Sequence, residues 1–234
     1  MPERALMLPD LRTPRAILFD LDGTLVDTVG LRIEGWLAAF AEMSIDADAQ
    51  RVGGLVGADG KRLARDVATA AAATMSEDEI AAIDRRAGDL FSDLNIDPRP
   101  LPGARALLAA LLVSGFPFVI ATSSLGAQVT ASLDALDLPG RPPIVDGEHV
   151  EHAKPAPDLL LLAAERAGVA PTACWYVGDA TWDFLACVAA DMSGIAVPTG
   201  AVDGSALLGA GALVVIDGLD DLTDELRRRG LLDP

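Results

Sequence analysis

The stretch RAILFDLDGT, residues 15–24, decides the fold because it places two carboxylates directly after a short apolar run. Such a run is typical of a strand buried on both faces of a parallel sheet. Similar apolar runs follow at 116–121, 174–177, 194–197 and 213–216. Helical patterns separate most of them, including those at 104–113 and 158–167, which end at Gly115 and Gly168. This alternation predicts an α/β fold built on a doubly wound parallel sheet.

The interval 29–98 interrupts the alternation, because it contains helical patterns and no convincing strand. Helices are expected over 31–41 and 61–74, and Ser76 with Glu79 forms a capping box that predicts a third helix. Prolines at 98, 100 and 102 mark the return of the chain. We therefore predict a core domain of residues 1–28 and 99–234, with an inserted α-helical cap domain of residues 29–98.

The chain of 234 residues has a formal net charge of −17, from 18 basic and 35 acidic side chains. This charge argues against nucleic-acid binding, which depends on Lys and Arg neutralising phosphates. No apolar run reaches the roughly 18 residues of a membrane span, and the N-terminus lacks the pattern of a signal peptide. We expect a cytoplasmic protein with no membrane or nucleic-acid partner, as a monomer or a homodimer.

Polar residues end three of the predicted strands: Asp20 and Asp22 follow the first, Thr122 another and Asp179 a third. Ligands of a doubly wound sheet bind beyond the carboxyl ends of its strands, so these side chains should converge on one crevice. Aspartates from two strand ends can hold a hard divalent cation, for which oxygen ligands suit Mg²⁺. Lys154, just before a helical pattern, could bind a phosphoryl oxygen as a point charge.

Each of these residues also has an ordinary structural interpretation. Asp20 could cap a helix, Thr122 with Ser123 and Ser124 could begin the next helix, and Lys154 could be a solvated surface charge. Asp183 could form only a cap or a salt bridge. Their joint occurrence, in order and at the ends of strands, favours a site over these separate explanations.

Four motifs in this order resemble those of the haloacid dehalogenase superfamily over nearly the whole chain. They are DLDGTLVDT at 20–28, VIAT at 119–122, KPAPD at 154–158 and GDATWD at 178–183. The chain looks like the phosphatase branch with a helical cap after the first motif, which includes phosphoglycolate phosphatases and β-phosphoglucomutases. Within this resemblance Asp22 implies phosphate-ester chemistry, because the dehalogenases lack this carboxylate and phosphonatases typically carry Ala there.

The resemblance implies a catalytic role for both carboxylates of the first motif. Asp20 would be the nucleophile that forms an aspartyl-phosphate, which divides one difficult displacement into two easier steps. Asp22 would protonate the leaving alkoxide and then activate water as a general base. The implied reaction is the hydrolysis of a small phosphorylated metabolite.

The resemblance also implies how the metal ion and the phosphoryl group are held. The implied ligands of Mg²⁺ are Asp20, the Asp22 carbonyl and Asp179, with Asp183 in support. The implied phosphate-binding residues are Thr122, Ser123 and Lys154. These groups would stabilise the charge of the transferring phosphoryl group, which is the main task of catalysis in such a reaction.

The glycine-rich segment 53–62 resembles the substrate-specificity loop of capped phosphatases, and we expect it to face the active site. Lys61 or Arg62 could reach an anion of the substrate, or both could be solvated charges at a helix N-terminus. β-Phosphoglucomutases carry a histidine ten residues after the general acid, where this chain has Arg32. This departure favours a phosphatase over a mutase. A catalytically idle phosphate-binding module is the alternative from another class, and it has no need of the general acid Asp22.

Overall fold

The computed structural model describes residues 7–233, and its centre is a sheet of six parallel strands. The strands in chain order are β1 (Ala16–Phe19), β2 (Val26–Asp27), β3 (Arg99–Pro100), β4 (Phe118–Ala121), β5 (Ile144–Val145), β6 (Cys174–Gly178), β7 (Ser193–Ala196) and β8 (Val214–Val215). The sheet has the order β5-β4-β1-β6-β7-β8, while β2 and β3 form a separate antiparallel pair. Because the strand order reverses beside β1, the sheet is doubly wound and the predicted fold class is confirmed.

The central strand β1 lies between β4 and β6, with Leu18 opposite Val119 on one side and Tyr176 on the other. All four residues of β1 are buried, because helices cover both faces of the sheet. Asp20 follows the strand and donates its backbone N–H to the carbonyl oxygen of Val177 at 2.9 Å. The pairing of the strands therefore fixes the backbone of the first carboxylate.

Helices pack on both faces of the sheet. In chain order the helices are α1 (Val29–Glu42), α2 (Ala49–Leu55), α3 (Gly60–Ala70), α4 (Glu77–Leu94), α5 (Ala104–Ser114), α6 (Gly126–Ala135), α7 (Asp158–Ala167), α8 (Thr181–Ala189), α9 (Gly204–Gly209) and α10 (Leu219–Arg228). Helices α5, α6 and α10 pack on one face of the sheet, and α7 and α8 pack on the other. The predicted ends of α5 and α7 are confirmed, because Gly115 and Gly168 adopt the left-handed conformation that closes a helix. No helix in the described residues is long and apolar enough to cross a membrane.

Helices α1 to α4, which we call the cap, enclose a hydrophobic cluster of their own that includes Phe40 and Val52. The chain leaves the sheet through β2 and returns through β3, with Asp27 directly opposite Arg99. The two connections between the cap and the sheet therefore lie side by side. The boundaries of the cap domain at 29–98 stay a prediction.

The structure departs from the sequence prediction within the segment 53–62. The glycine pair at 53 and 54 belongs to α2, so only residues 56–59 form a connecting loop. Asp48 caps this helix by accepting a hydrogen bond from the backbone N–H of Arg51 at 2.7 Å. The expectation of one continuous loop was wrong because a cap and tertiary packing outweigh the low helix propensity of glycine.

Three strands, β2, β3 and β5, are absent from the sequence prediction. Each has two residues, too few for an alternating or apolar pattern to emerge. Helix α3 also ends at Ala70, short of the predicted residue 74, and Ala72 beyond it has a φ of 53°. The capping box of α4 is confirmed, because Ser76 and Glu79 each accept a hydrogen bond from the backbone N–H of the other.

Candidate active site

The carboxyl ends of β1, β4 and β6 open into a cavity of about 460 Å³ between the sheet and the cap. The predicted site residues Asp20, Asp22, Thr122, Ser123 and Asp179 all line this cavity. Residues of α1, α3 and α4 line it from the side of the cap. A cavity of this size at the switch point of a doubly wound sheet is the expected place for a small ligand.

A buried network of ion pairs holds Asp20. The Nζ atom of Lys154 lies 2.5 Å from Asp20 Oδ1 and 2.7 Å from Asp183 Oδ1. Lys154 is only 1% exposed, so its interpretation as a solvated surface charge is wrong. Asp183 also accepts a hydrogen bond from the hydroxyl of Tyr176 at 2.9 Å, and its Oδ2 accepts two backbone N–H groups just before α8. Both oxygens of Asp183 are therefore engaged by the protein itself.

Asp179 follows β6 and is placed next to Asp20 by a close approach of backbone segments. Its Oδ1 accepts a hydrogen bond from the hydroxyl of Thr24 at 2.9 Å. Its Oδ2 lies against Gly23 and Gly200, where an added Cβ would be 2.3 and 1.9 Å from that oxygen. Gly23 has a φ of 85°, so both the space and the backbone conformation require glycine there. Gly23, in the first motif, thus leaves room for the carboxylate of Asp179.

Three buried carboxylates, those of Asp20, Asp179 and Asp183, offer oxygen atoms within 4.8 Å of one another. Lys154 compensates one of the three negative charges, so two are left. Burial, which Lys154 only partly offsets, raises the pKa of Asp20 to about 7. Burial together with the nearby Asp183 raises the pKa of Asp179 well above its usual range. The cluster is therefore short of positive charge.

This donor set fits Mg²⁺. Hard divalent cations prefer carboxylate oxygens, and a doubly positive ion would balance the two remaining charges. Among the described residues, Asp20 and Asp179 each keep an Oδ2 atom without a hydrogen-bond partner, whereas both oxygens of Asp183 are taken. Asp20 and Asp179 could therefore coordinate the ion directly, while Asp183 orients the groups around them.

Asp22 is held by three donors of its own. Thr28 Oγ1 donates to its Oδ1 at 2.6 Å, and Ser124 Oγ and Arg32 Nη2 donate to its Oδ2 at 2.5 and 2.9 Å. Burial alone would raise the pKa of Asp22, but Arg32 and these hydrogen bonds outweigh it and hold the pKa below its ordinary value. Arg32 comes from the cap helix α1, so the cap supplies part of this environment.

Thr122 and Ser123 follow β4 at the edge of the cavity. Helix α6 begins at Gly126, so neither residue is the cap of that helix and this alternative interpretation is wrong. The Oγ atom of Ser123 is buried and has no hydrogen-bond partner among the described residues. A buried hydroxyl without a partner costs about 1–3 kcal/mol, so the Ser123 hydroxyl is a candidate donor to a bound oxyanion.

The loop between α2 and α3 contacts the core segment that carries Lys154. The backbone N–H of Asp59 donates to the carbonyl oxygen of Lys154 at 3.1 Å, and Asp59 also lines the cavity. Lys61 and Arg62 are exposed, and neither is among the described residues that line the cavity. The guanidinium of Arg62 lies 4.6 Å from the ring centre of Trp182. The contacts of Lys61 and Arg62 with substrate stay predictions.

Sequence reasoning missed the partners of Asp22, although one signal for them exists. Thr28 and Arg32 are four residues apart at the start of α1, so they share one face of the helix. A hydroxyl and a guanidinium on one helix face, soon after two carboxylates, could have indicated that both donate hydrogen bonds to one of those carboxylates. Ser124 offers no such signal, because only the folded sheet brings it beside Asp22.

Comparisons with known proteins identify the family of this chain. A family model described as a haloacid dehalogenase-like hydrolase matches residues 14–191. The probable phosphatase IndB of Dickeya dadantii is 30% identical over 205 residues, which cover 86% of this chain and 88% of that protein. Phosphoglycolate phosphatase 1 of Pseudomonas aeruginosa is 31% identical over 221 residues, which cover 90% of this chain and 79% of that protein. The crystal structure of a hydrolase from Pseudomonas syringae has a TM-score of 0.86 and 30% identity, covering 92% of this chain and 98% of that chain.

The chain belongs to the haloacid dehalogenase-like hydrolase family, and the resemblance inferred from its four motifs is confirmed. It is an enzyme of the hydrolase class, in the branch whose relatives are named phosphatases. The match at 14–191 includes the four motifs, the cap helices and the strands β1 to β6.

Proposed function

We propose that the protein is a Mg²⁺-dependent phosphatase that hydrolyses a small phosphate monoester through an aspartyl-phosphate formed on Asp20. The observation that carries this proposal is the buried cluster of Asp20, Asp179, Asp183 and Lys154 beside the separately held Asp22. One cluster offers a nucleophile and a place for a cation, and Asp22 offers a proton donor and acceptor. The names of the phosphatase relatives support the same reaction class.

Asp20 would act through its Oδ2 atom, because Lys154 already holds Oδ1 at 2.5 Å. Oδ2 would form a bond to phosphorus while the bond between phosphorus and the ester oxygen breaks. Mg²⁺ bound to Asp20 and Asp179 would supply positive charge that offsets the carboxylates and the phosphoryl oxygens. The Ser123 hydroxyl would donate a hydrogen bond to one of those oxygens.

Asp22 would move the proton in both steps. In the first step its carboxyl group donates a proton to the ester oxygen that leaves as an alcohol. In the second step its carboxylate takes a proton from the water molecule that attacks phosphorus and releases Asp20. Arg32 favours the ionised form of Asp22, which the second step requires. For the first step we expect the leaving oxygen to take the place of Arg32 at Oδ2.

Release of inorganic phosphate from an aryl phosphate and from a panel of phosphate esters, with Mg²⁺ and with EDTA, tests this proposal. We expect release that depends on the metal, and a decrease in kcat of at least about 1000-fold for Asp20→Asn, because the amide is not a nucleophile of this kind. Asp27→Asn is the matched control, since Asp27 is exposed on β2, and its kcat should stay within about twofold of the unmodified protein.

Absence of phosphate release across the panel in the presence of Mg²⁺ would contradict the proposal, and so would full activity of Asp20→Asn. Interconversion of hexose phosphates without net phosphate release would identify a phosphomutase instead. The two outcomes are separated by measuring free phosphate and sugar phosphates in the same reaction.

A further inference from the structure

Tyr176 combines a buried aromatic ring with a hydroxyl that reaches the cluster of buried carboxylates. It is the single tyrosine of the chain and is fully buried on β6, opposite Leu18 of β1. Its ring packs in the hydrophobic cluster between the sheet and helices α7 and α8, together with Leu159 and Leu160. Phenylalanine would supply nearly the same apolar surface, so the packing of the sheet does not account for the hydroxyl.

The hydroxyl of Tyr176 is one of four donors to the carboxylate of Asp183. It donates to Oδ1 at 2.9 Å, and Lys154 Nζ donates to the same oxygen at 2.7 Å. The other oxygen, Oδ2, accepts the backbone N–H groups of Asp179 and Ala180 at 3.1 and 2.9 Å. Each oxygen thus accepts two hydrogen bonds, which is its full capacity. Tyr176 and the two backbone groups therefore fix the carboxylate to which Lys154 binds.

The ring of Tyr176 also contacts the same lysine. Lys154 Nζ lies 5.5 Å from the ring centre, within the range of about 6 Å over which an ammonium group is attracted to an aromatic ring. Lys154 is only 1% exposed, so bulk water does not compete for the ammonium group. Tyr176 therefore holds Lys154 in two ways, directly through its ring and indirectly through the acceptor Asp183.

The position of Lys154 in turn determines the orientation of Asp20. Lys154 Nζ binds Asp20 Oδ1 at 2.5 Å, and Oδ2 is the oxygen left for phosphorus. A reacting group that is misplaced by about 1 Å can cost about 100-fold in rate. A small movement of Asp183 and Lys154 would therefore change the reactivity of a nucleophile that Tyr176 does not itself contact.

From this series of contacts we infer that Tyr176 is a positioning residue for the nucleophile, acting on Asp20 through Asp183 and Lys154. The inference rests on the proposed function, because it adds a residue to the same reaction. Asp183 also holds the backbone of Asp179, so Tyr176 supports the carboxylates that would coordinate Mg²⁺ as well.

Tyr176→Phe tests the inference, because it removes the hydroxyl and keeps the ring. We expect kcat for an aryl phosphate in the presence of Mg²⁺ to fall about 10- to 100-fold, as it does when other outer-shell partners of a metal site are removed. KM should stay within about threefold, because Tyr176 is not among the residues that line the cavity and its effect belongs to the transition state.

Trp175→Phe is the matched control on the same strand. Trp175 is 1% exposed, and its Nε1 donates to the carbonyl oxygen of Arg12 at 3.0 Å. Its side chain belongs to the hydrophobic cluster on the opposite face of the sheet. This variant also loses a buried hydrogen bond and should be less stable, but its kcat should stay within about twofold of the unmodified protein.

Two measurements that need no turnover separate positioning from general stability. Mg²⁺ should bind about threefold or more weakly to Tyr176→Phe than to the unmodified protein by titration calorimetry, and with unchanged affinity to Trp175→Phe. Because the chain has one tyrosine, incorporation of tyrosine labelled with ¹³C at Cζ gives a single NMR resonance from the unmodified protein. We expect this resonance to move as Mg²⁺ is added, since the hydroxyl is bonded to the cluster that takes the ion.

A kcat of Tyr176→Phe within about twofold of the unmodified protein would overturn the inference, and so would an equal loss of kcat in Trp175→Phe. If Tyr176→Phe does not fold, the labelled unmodified protein decides, because a Tyr176 resonance that Mg²⁺ leaves in place contradicts the inference. If the unmodified protein releases no phosphate from any ester, the proposed function fails. The Mg²⁺ affinities and the resonance would then still show whether Tyr176 supports the cluster.

Discussion

Arg32 belongs to the cap, yet its guanidinium group contacts Asp22 and Ser124 of the core. It donates to Asp22 Oδ2 and to Gln128 Oε1 at 2.9 Å, it contacts the hydroxyl of Ser124, and it lies 3.5 Å from the ring centre of Phe91. A planar group with five donors can satisfy these partners at once. Arg32 is therefore the side chain through which the position of the cap and the position of Asp22 depend on each other.

Replacement of Arg32 tests this dependence at the level of one residue. Arg32→Ala should lower kcat/KM for a phosphate ester about 10- to 100-fold, because Asp22 loses one of its three donors and its fixed orientation. Arg32→Lys should restore only part of the activity, since a single ammonium cannot serve all these partners. Steady-state hydrolysis assays measure both effects.

Arg86→Ala is the matched control for Arg32, because Arg86 is a cap arginine in a partly exposed pair with Glu42. Exposed ion pairs contribute little free energy to stability, so kcat/KM of Arg86→Ala should stay within about twofold of that of the unmodified protein. Full activity of Arg32→Ala, with Arg86→Ala also unchanged, would contradict the role given to Arg32.

The carboxylates of the site were within reach of sequence reasoning, and their partners were not. Asp20, Asp22 and Asp179 follow apolar runs, and the rule that ligands bind at the carboxyl ends of strands places them together. The bond between Arg32 and Asp22 depends on how the cap meets the core, which no local pattern describes. For the same reason Asp84, which lines the cavity from the cap, carries no signal in the sequence.

At the level of elements, the contact between α8 and β7 depends on a glycine. A Cβ on Gly194 would lie 2.8 Å from Phe184 Cδ1 and 3.2 Å from the Sγ of Cys187. Phe184 is fully buried, so its ring has little room to move. We expect Gly194→Ala to lower the free energy of unfolding by about 1–3 kcal/mol, as overpacking does in other cores.

Thermal denaturation measures the effect of Gly194→Ala, with Gly209→Ala on the adjacent helix α9 as the control. A Cβ on Gly209 would meet no atom within 4 Å, so this variant should be neutral or more stable by up to about 1 kcal/mol. Equal stability of the two variants would contradict the tight packing described for α8.

The elements themselves were predictable where they are long and regular. The runs that become β1, β4, β6 and β7 and the helices α5 and α7 follow the sequence patterns closely. The two-residue strand β5 forms because Ile144 and Val145 complete the sheet beside β4, and pairing of this kind depends on the tertiary structure. Helix α2 forms in spite of two glycines for a similar reason.

At the level of the whole molecule, buried negative charge makes stability depend on pH and on the metal. The pKa of Asp20 is raised from its ordinary value to about 7, so between about pH 4 and pH 7 the folded protein binds a proton that the unfolded chain does not. Stability contributed by this group is therefore present below about pH 4 and is lost as the pH rises towards 7. The free energy of unfolding of the metal-free protein should therefore fall as the pH rises through that window.

Mg²⁺ competes with protons for these carboxylates, so its effect on stability should grow as the pH rises. We expect the increase in Tm caused by excess Mg²⁺, measured against EDTA, to be larger at about pH 8 than at about pH 5. In Asp20→Asn this dependence on pH should become weaker, because one titrating ligand is gone. If the increase in Tm caused by Mg²⁺ stays constant or falls as the pH rises, a metal site at Asp20 and Asp179 is contradicted.

The side-by-side strands β2 and β3 have a consequence for how such proteins can evolve. Asp27 and Arg99 are paired residues, so the chain enters and leaves the helical insert at points only about 5 Å apart. A segment attached in this way can be lengthened, shortened or exchanged without altering the order of the six strands below it. A different cap can therefore arise by replacing one continuous stretch of gene, while the strand ends that carry Asp20, Asp22 and Asp179 stay in place, provided that the new cap again offers a partner to Asp22.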